Sequence, residues 1–194
     1  MPSDPVTLAF DTSAAHCAAV LLRGEAVLAE RVEEMGRGQA ERLMPLLDEV
    51  LAEAGLDWSA LDRIGVGVGP GNFTGIRIAV SAARGLALAL GVPAVGVSSL
   101  AVQQGPVLAT VPAPRDQVYA QLPDGAPELM SRTEAEALAA THGLALAEIP
   151  EPAALVLAIA QLAQRAEPGL PPAPLYVRAA DAAPPRDPAP VILP

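Results

Sequence analysis

Two stretches of this chain hold residue types whose spacing could do chemistry: Asp11-Thr12-Ser13, and the run Gly69-Pro70-Gly71-Asn72-Phe73-Thr74-Gly75-Ile76-Arg77-Ile78. An Asp closing a strand and followed by hydroxyls is where metal–phosphate contacts form in sugar-kinase-like folds; the same tripeptide is also an ordinary turn. The glycine run sits between a short apolar strand, 64–68, and a long helix with few charges. A strand, a glycine turn and a helix in that order often build an anion or partner site at the helix N-terminus. The run fits neither common nucleotide loop. A phosphate loop needs a Lys after its second Gly, and there is none. A dinucleotide fingerprint needs a different last spacing, and Pro70 removes an amide donor. Asn72 suits an N-cap. Asp11, Thr12, Ser13, Gly69, Gly71 and Asn72 are the candidate phosphate or nucleotide contacts, with a rigid strand-to-helix turn as the alternative. His16 and Cys17 are neighbours, but two ligands do not make a metal site. His142 precedes Gly143 in a stretch that reads as a solvated loop. No Ser/His/Asp arrangement can be assembled.

The elements that must position these residues follow from pattern. Residues 6–10 read as a strand, and 18–22 and 26–32 as two more joined by Arg23-Gly24-Glu25, so the first three strands are expected antiparallel and consecutive. Helical spacing runs over 39–54, with an apolar stripe of Leu43, Leu46, Leu47, Val50 and Leu51 that Met44 widens, and Gly55 as its stop. The strand–helix–strand passage to 64–68 favours parallel pairing. A second helix runs from the glycine turn to residue 90. Beyond it, strands are expected at 94–97, 107–111 and 117–122, helices at 98–104, 133–140 and 152–165, and a short strand at 175–177. A turn falls at Pro123-Asp124-Gly125, and a proline-rich tail at 184–194. Gly75, Ala79 and Ala83 recur every four residues with Ala82 beside them, a flat stripe that another helix can approach closely, within the chain or from a second protein.

Composition bounds the partners. The chain has 194 residues, 52% apolar but only 3% aromatic, so its core is built from aliphatic side chains. Net charge is −10, from 12 basic residues, all of them Arg, against 22 acidic ones. An acidic surface repels phosphate backbones, which argues against direct stand-alone RNA binding. The lack of Lys excludes Schiff-base chemistry. One cysteine and no signal-peptide pattern point to a cytoplasmic protein. The stretch 78–97 is apolar enough to raise a membrane span, but Ser81, Arg84 and Pro93 favour a buried helix followed by a strand.

Phe10-Asp11-Thr12-Ser13, Ala40-Glu41-Arg42-Leu43-Met44-Pro45-Leu46, the Gly69 to Ile78 run, Gly96-Val97-Ser98-Ser99-Leu100, Val118-Tyr119-Ala120-Gln121 and Tyr176-Val177-Arg178-Ala179-Ala180-Asp181-Ala182 occur in one order. In this the chain resembles the TsaB family, also called YeaZ, over nearly its whole length. The resemblance implies an α/β fold of the actin/hexokinase/Hsp70-like two-lobed kind, mixed sheets flanked by helices. It implies lobes at 1–97 and 98–194, the second shorter. It also implies a role in placing threonylcarbamoyl on N6 of the adenosine 3′ of the tRNA anticodon. In that system TsaD carries a metal and the transfer chemistry, TsaE is an ATPase and TsaC makes the activated threonylcarbamoyl. The family's older label is glycoprotease. Three departures stand out: Gln39-Ala40-Glu41 where a His is common, Asn72 where a Ser is common, and Pro112-Ala113-Pro114 where Asp-Ala-Arg is frequent.

The reading that joins residues and resemblance is a non-catalytic dimerisation and activator subunit. It has no metal or cofactor of its own, and ATP and a metal ion sit on its partners. It docks TsaD, joins TsaE, meets tRNA only through the complex and pairs with itself when alone. Its docking face is expected at Leu43, Met44, Leu47, Leu51, Gly75, Ile76, Ala79, Ala82, Ala83 and Leu86. Ala83→Glu is expected to abolish docking and leave the fold soluble. The alternatives are an ATP-dependent phosphotransferase or ATPase using Asp11 and the Gly69 turn, and a glycoprotein peptidase.

Overall fold

Strands β1 (Val6–Asp11), β2 (His16–Arg23) and β3 (Ala26–Glu34) form an antiparallel meander, the last two joined at the Gly24 turn. Helix α1 (Gln39–Glu53) crosses to β4 (Arg63–Gly67), which pairs parallel with β1. Helix α2 (Phe73–Leu90) crosses to β5 (Ala94–Val97), parallel to β4, giving a five-stranded sheet in the order β3-β2-β1-β4-β5. This is a computed structural model, and it describes residues 4–167 and 169–177.

The two faces of β1 and β2 feed different clusters. Leu8, Phe10, Ala19 and Leu21 pack with Leu43, Leu46, Leu47, Val50 and Ile76 under α1 and α2. Ala9, Ala18, Val20 and Leu22 point the other way, against α4 (Pro152–Arg165), whose Leu155, Val156, Ile159, Ala160 and Ala163 are buried there. A strand covered on both sides is mostly apolar on both faces, which is why β1 and β2 lack the regular polar–apolar alternation of a half-wet strand. Arg63 on β4 donates through Nη1 to the Ala163 and Ala166 carbonyls, satisfying the open end of α4.

The second sheet runs β8-β7-β6-β9, from β6 (Val107–Ala113), β7 (Gln117–Gln121), β8 (Glu128–Ser131) and β9 (Ala145–Ala147). Helix α3 (Arg132–His142) packs Ala135 and Ala139 on its Leu108, Val118 and Ala120. Ser131 and Glu134 form a reciprocal capping box that starts α3.

Several expectations are corrected. Residues 98–104 are turns, not a helix, because the Gln103 side chain donates to the Ser99 carbonyl (3.0 Å) and the Thr110 carbonyl (2.9 Å) and accepts from Thr110 N, tying the segment to β6. Residues 175–177 make no strand: Leu175 N donates to the Val68 carbonyl (2.8 Å) while the chain crosses the end of β4. Strands β8 and β9 were not expected. His142 closes α3 rather than sitting in a loop. Residues 152–165 return to the first sheet, so they fall with the N-terminal lobe and not with the lobe assigned to 98–194. Helix α2 is long and apolar enough by length and composition to cross a membrane, yet only 28% of that span is buried, so it is a one-sided helix rather than a buried one. The proline-rich tail at 184–194 and the signature residues Arg178 to Ala182 lie outside the described residues.

If α4 completes the core of the first sheet, Ile159→Ala costs about 2–5 kcal/mol. Urea unfolding checks this, and a loss under about 1 kcal/mol would remove α4 from that core.

Candidate functional site

The turn after β1 and the glycine turn after β4 lie side by side because parallel pairing brings both strand ends to one edge. Asp11 is fully buried. Its Oδ1 accepts from Ser13 N (2.9 Å), Ser13 Oγ (2.9 Å) and His16 Nε2 (2.7 Å). Its Oδ2 has no partner and faces Gly67, where any Cβ would collide with it. Asp11 therefore lies between the serine and the histidine. A relay needs the histidine between them, so Ser13 has no base in this arrangement.

The glycine turn is keyed into the first turn. Thr12 Oγ1 donates to the Gly75 carbonyl (2.7 Å), and Asn72 N donates to the Ser13 carbonyl (2.6 Å). A Cβ at Gly75 would run into the Thr12 carbonyl oxygen, so only glycine permits this approach. Asn72 caps α2 through its side chain, accepting from Gly75 N (2.9 Å). Of the candidate phosphate contacts, Asp11, Thr12 and Ser13 are buried and committed to these internal bonds. Ser13, Gly71 and Asn72 border a cleft of about 640 Å³ toward the second sheet. Its far wall includes Val111, Pro112, Pro114 and Tyr119, and among the described residues no charged side chain lines it.

The expected docking residues divide in two. Leu43, Leu47, Leu51, Gly75, Ile76, Ala79 and Ala83 are buried in the chain's own core, though Leu43 also reaches the outward groove between α1 and α2. The stripe of small residues at Gly75, Ala79 and Ala83 is the inward side of α2, which lets the helix lie close to β1 and β4. Ala83→Glu would thus bury a carboxylate in the core instead of testing docking. Met44 is 38% exposed, and Ala82 and Leu86 are half-buried. The outward groove between α1 and α2, about 480 Å³, is lined by Ala40, Met44, Phe73, Arg77, Ile78, Ser81 and Ala82. The sequence reading missed Ala40, Phe73, Thr74, Arg77, Ile78 and Ser81. An exposed Phe in a chain with two Phe in all was the available signal.

Charge beside the groove is organised by Arg42. Its guanidinium bridges Glu33 (2.6 and 2.8 Å) and Glu49 (2.7 and 2.8 Å), pinning α1 to β3 and holding both carboxyls below their usual range. Burial, aided by the Glu33 charge, pushes the Cys17 thiol up from 9.0 to about 11. Among the described residues no group of three His, Cys, Asp or Glu is placed to hold a metal ion.

A meander of three strands extended by two parallel crossovers, helices on both faces and a second mixed sheet across a cleft define the actin/hexokinase/Hsp70-like class. The family model described as "TsaD: tRNA N6-adenosine threonylcarbamoyltransferase" matches residues 27–173. The solved structure of YeaZ from Pseudomonas aeruginosa is similar over 89% of this chain and 99% of its own, at 31% identity and a TM-score of 0.66. A second Pseudomonas aeruginosa structure, described as an uncharacterized protein with similarity to peptidase YEAZ, matches 90% of this chain and 100% of its own at 30% identity and a TM-score of 0.72. The tRNA threonylcarbamoyladenosine biosynthesis protein TsaB of Haemophilus influenzae is 34% identical over 122 residues, 58% of this chain. That match spans 51% of the Haemophilus protein, about half its length. The chain belongs to the TsaB/YeaZ family.

Two outcomes are expected from these contacts. Gly75→Ala destabilises by about 3 kcal/mol, whereas Gly85→Ala, on the open side of the same helix, stabilises by about 0.5–1 kcal/mol. Equal effects in thermal unfolding would sink the keyed-turn account. Cys17 resists a thiol reagent at pH 8 until the chain is unfolded. Because its folded value lies above its unfolded one, native stability falls as pH rises from about 9 toward about 11. Rapid native labelling at pH 8 would contradict this.

Proposed function

We propose that this chain is a non-catalytic subunit in the biosynthesis of threonylcarbamoyladenosine in tRNA, docking a TsaD subunit through the outward groove between α1 and α2. One observation carries the reading: in a member of this family, α1 and α2 leave Met44 and Phe73 exposed on an apolar groove, while among the described residues no charged side chain lines the interlobe cleft. Met44, Phe73, Ile78 and Ala82 offer aliphatic and aromatic area of the kind that helix-pair interfaces bury. The net charge of −10 fits a protein that leaves tRNA contacts to its partners. On this reading the chain brings no cofactor, ATP and a metal ion belong to the partner subunits, TsaE joins the assembly, and the work is cytoplasmic. Without TsaD, the same groove would meet a second copy of this chain.

The test is reconstitution with one component omitted. TsaC, TsaD, TsaE, ATP, threonine, bicarbonate and unmodified tRNA are combined with and without this protein, and the modified nucleoside is measured by mass spectrometry. Product only in its presence is the expected result; equal product without it would refute the subunit role. Met44→Asp and Ser81→Arg lie on the groove and outside the core, and are expected to cut product at least about tenfold with unchanged melting. ATP turnover by the purified chain alone would instead favour the phosphotransferase reading.

A further inference from the structure

Phe73 and Tyr176 are each 43% exposed, although the chain has only five aromatic residues to place. They are distant in sequence and meet at the first turns of α2, where Tyr176 also reaches Arg77, 99 positions before it. Their ring centroids are 5.0 Å apart. The Arg77 guanidinium carbon sits 3.7 Å from the Phe73 centroid and 5.7 Å from that of Tyr176. Arg77 Nε donates to Tyr176 Oη at 2.8 Å. Tyr176 is itself held, because the adjoining Leu175 is bonded to Val68 and packs on the core, and Pro172 is buried. The cation is thus stacked and fixed before any partner arrives, which lowers the entropy lost on binding.

Among the described residues its remaining nitrogens meet no carboxylate. The ion pairs among the described residues involve Arg31, Arg42, Arg132 and His16, not Arg77. Helix α2 carries Arg77 and Arg84 and no acidic residue, in a chain with a net charge of −10. Covering such a guanidinium with an apolar surface is costly, so a partner that seals this groove must answer it with negative charge. A protein carboxylate suits the site better than a nucleic-acid phosphate, because the groove beside it is apolar and the rest of the chain is acidic.

We propose that Phe73, Arg77 and Tyr176 form the anchor of the α1–α2 face, with the free guanidinium nitrogens of Arg77 taking an Asp or Glu carboxylate on the docked protein's helical surface. This rests on the docking reading above. Aromatic and arginine side chains at the centre of an interface are where binding energy concentrates.

The test measures the affinity of the full chain for purified TsaD by calorimetry at two salt concentrations, with melting recorded for each variant. Arg77→Met is expected to weaken binding at least about thirtyfold and to remove most of its salt dependence, with melting unchanged. Tyr176→Phe keeps the stacked ring, loses the hydroxyl contact and is expected to weaken binding several-fold. Arg77→Glu is expected to abolish binding and to be rescued by one Asp or Glu to Arg change on TsaD. Wild-type binding with Arg77→Met within threefold of it overturns the anchor alone. No binding by the wild type overturns the docking reading and the anchor with it. Loss of binding that only tRNA restores, with no protein charge reversal rescuing Arg77→Glu, overturns the carboxylate in favour of a phosphate.

Discussion

The seating of α2 on the turn after β1 sets the geometry of everything above the first sheet. Gly75 lets the helix backbone reach the Thr12 carbonyl, and the Thr12 hydroxyl answers by bonding to the Gly75 carbonyl. With that contact made, the rotation of α2 about its own axis is no longer free. Ile76, Ala79, Val80 and Ala83 must face inward, and Phe73, Arg77 and Ser81 must face outward. The groove is a by-product of this packing. The glycine run reads as a ligand loop by type, but its amides and its missing side chains serve a fit between two turns.

The first lobe was legible because its signals are local. Gly24 marks the hairpin, Gly55 the end of α1, and the apolar stripe from Leu43 to Leu51 the buried side of that helix. The last helix was read at its bounds because Pro152 starts it and its apolar periodicity is strong. What failed depended on contacts between distant residues. The turns at 98–104 are decided by one side chain, Gln103, reaching β6. Strands β8 and β9 are too short to carry a pattern of their own, and are strands only because β7 and β6 offer edges.

The candidate site was half legible for a related reason. Periodicity identifies an apolar stripe, but it does not say whether the stripe meets the chain's own sheet or another molecule. In α1 and α2 the strongest stripe is the inner one, and the sequence reading assigned it to a partner. The outer stripe is weaker, mixing Met44, Ile78 and Ala82 with Ser81 and Arg77. Its association with Tyr176 spans 99 positions and could not be seen from spacing. Likewise, Asp11 draws attention as an acid at a strand end, yet its surroundings make it an internal fastener for Ser13 and His16.

The position of α4 has a consequence for how the protein is made. The strands synthesised first carry Ala9, Ala18, Val20 and Leu22 on a face that residues 152–165 cover. On the ribosome the meander and both crossovers emerge before that cover exists, and the whole second sheet is translated in the interval. A nascent chain of this design carries a bare aliphatic face through most of its synthesis, which is the condition under which chaperones bind and neighbouring chains aggregate. The burden falls on production rather than on the finished molecule, since one late helix closes the sheet at a single stroke.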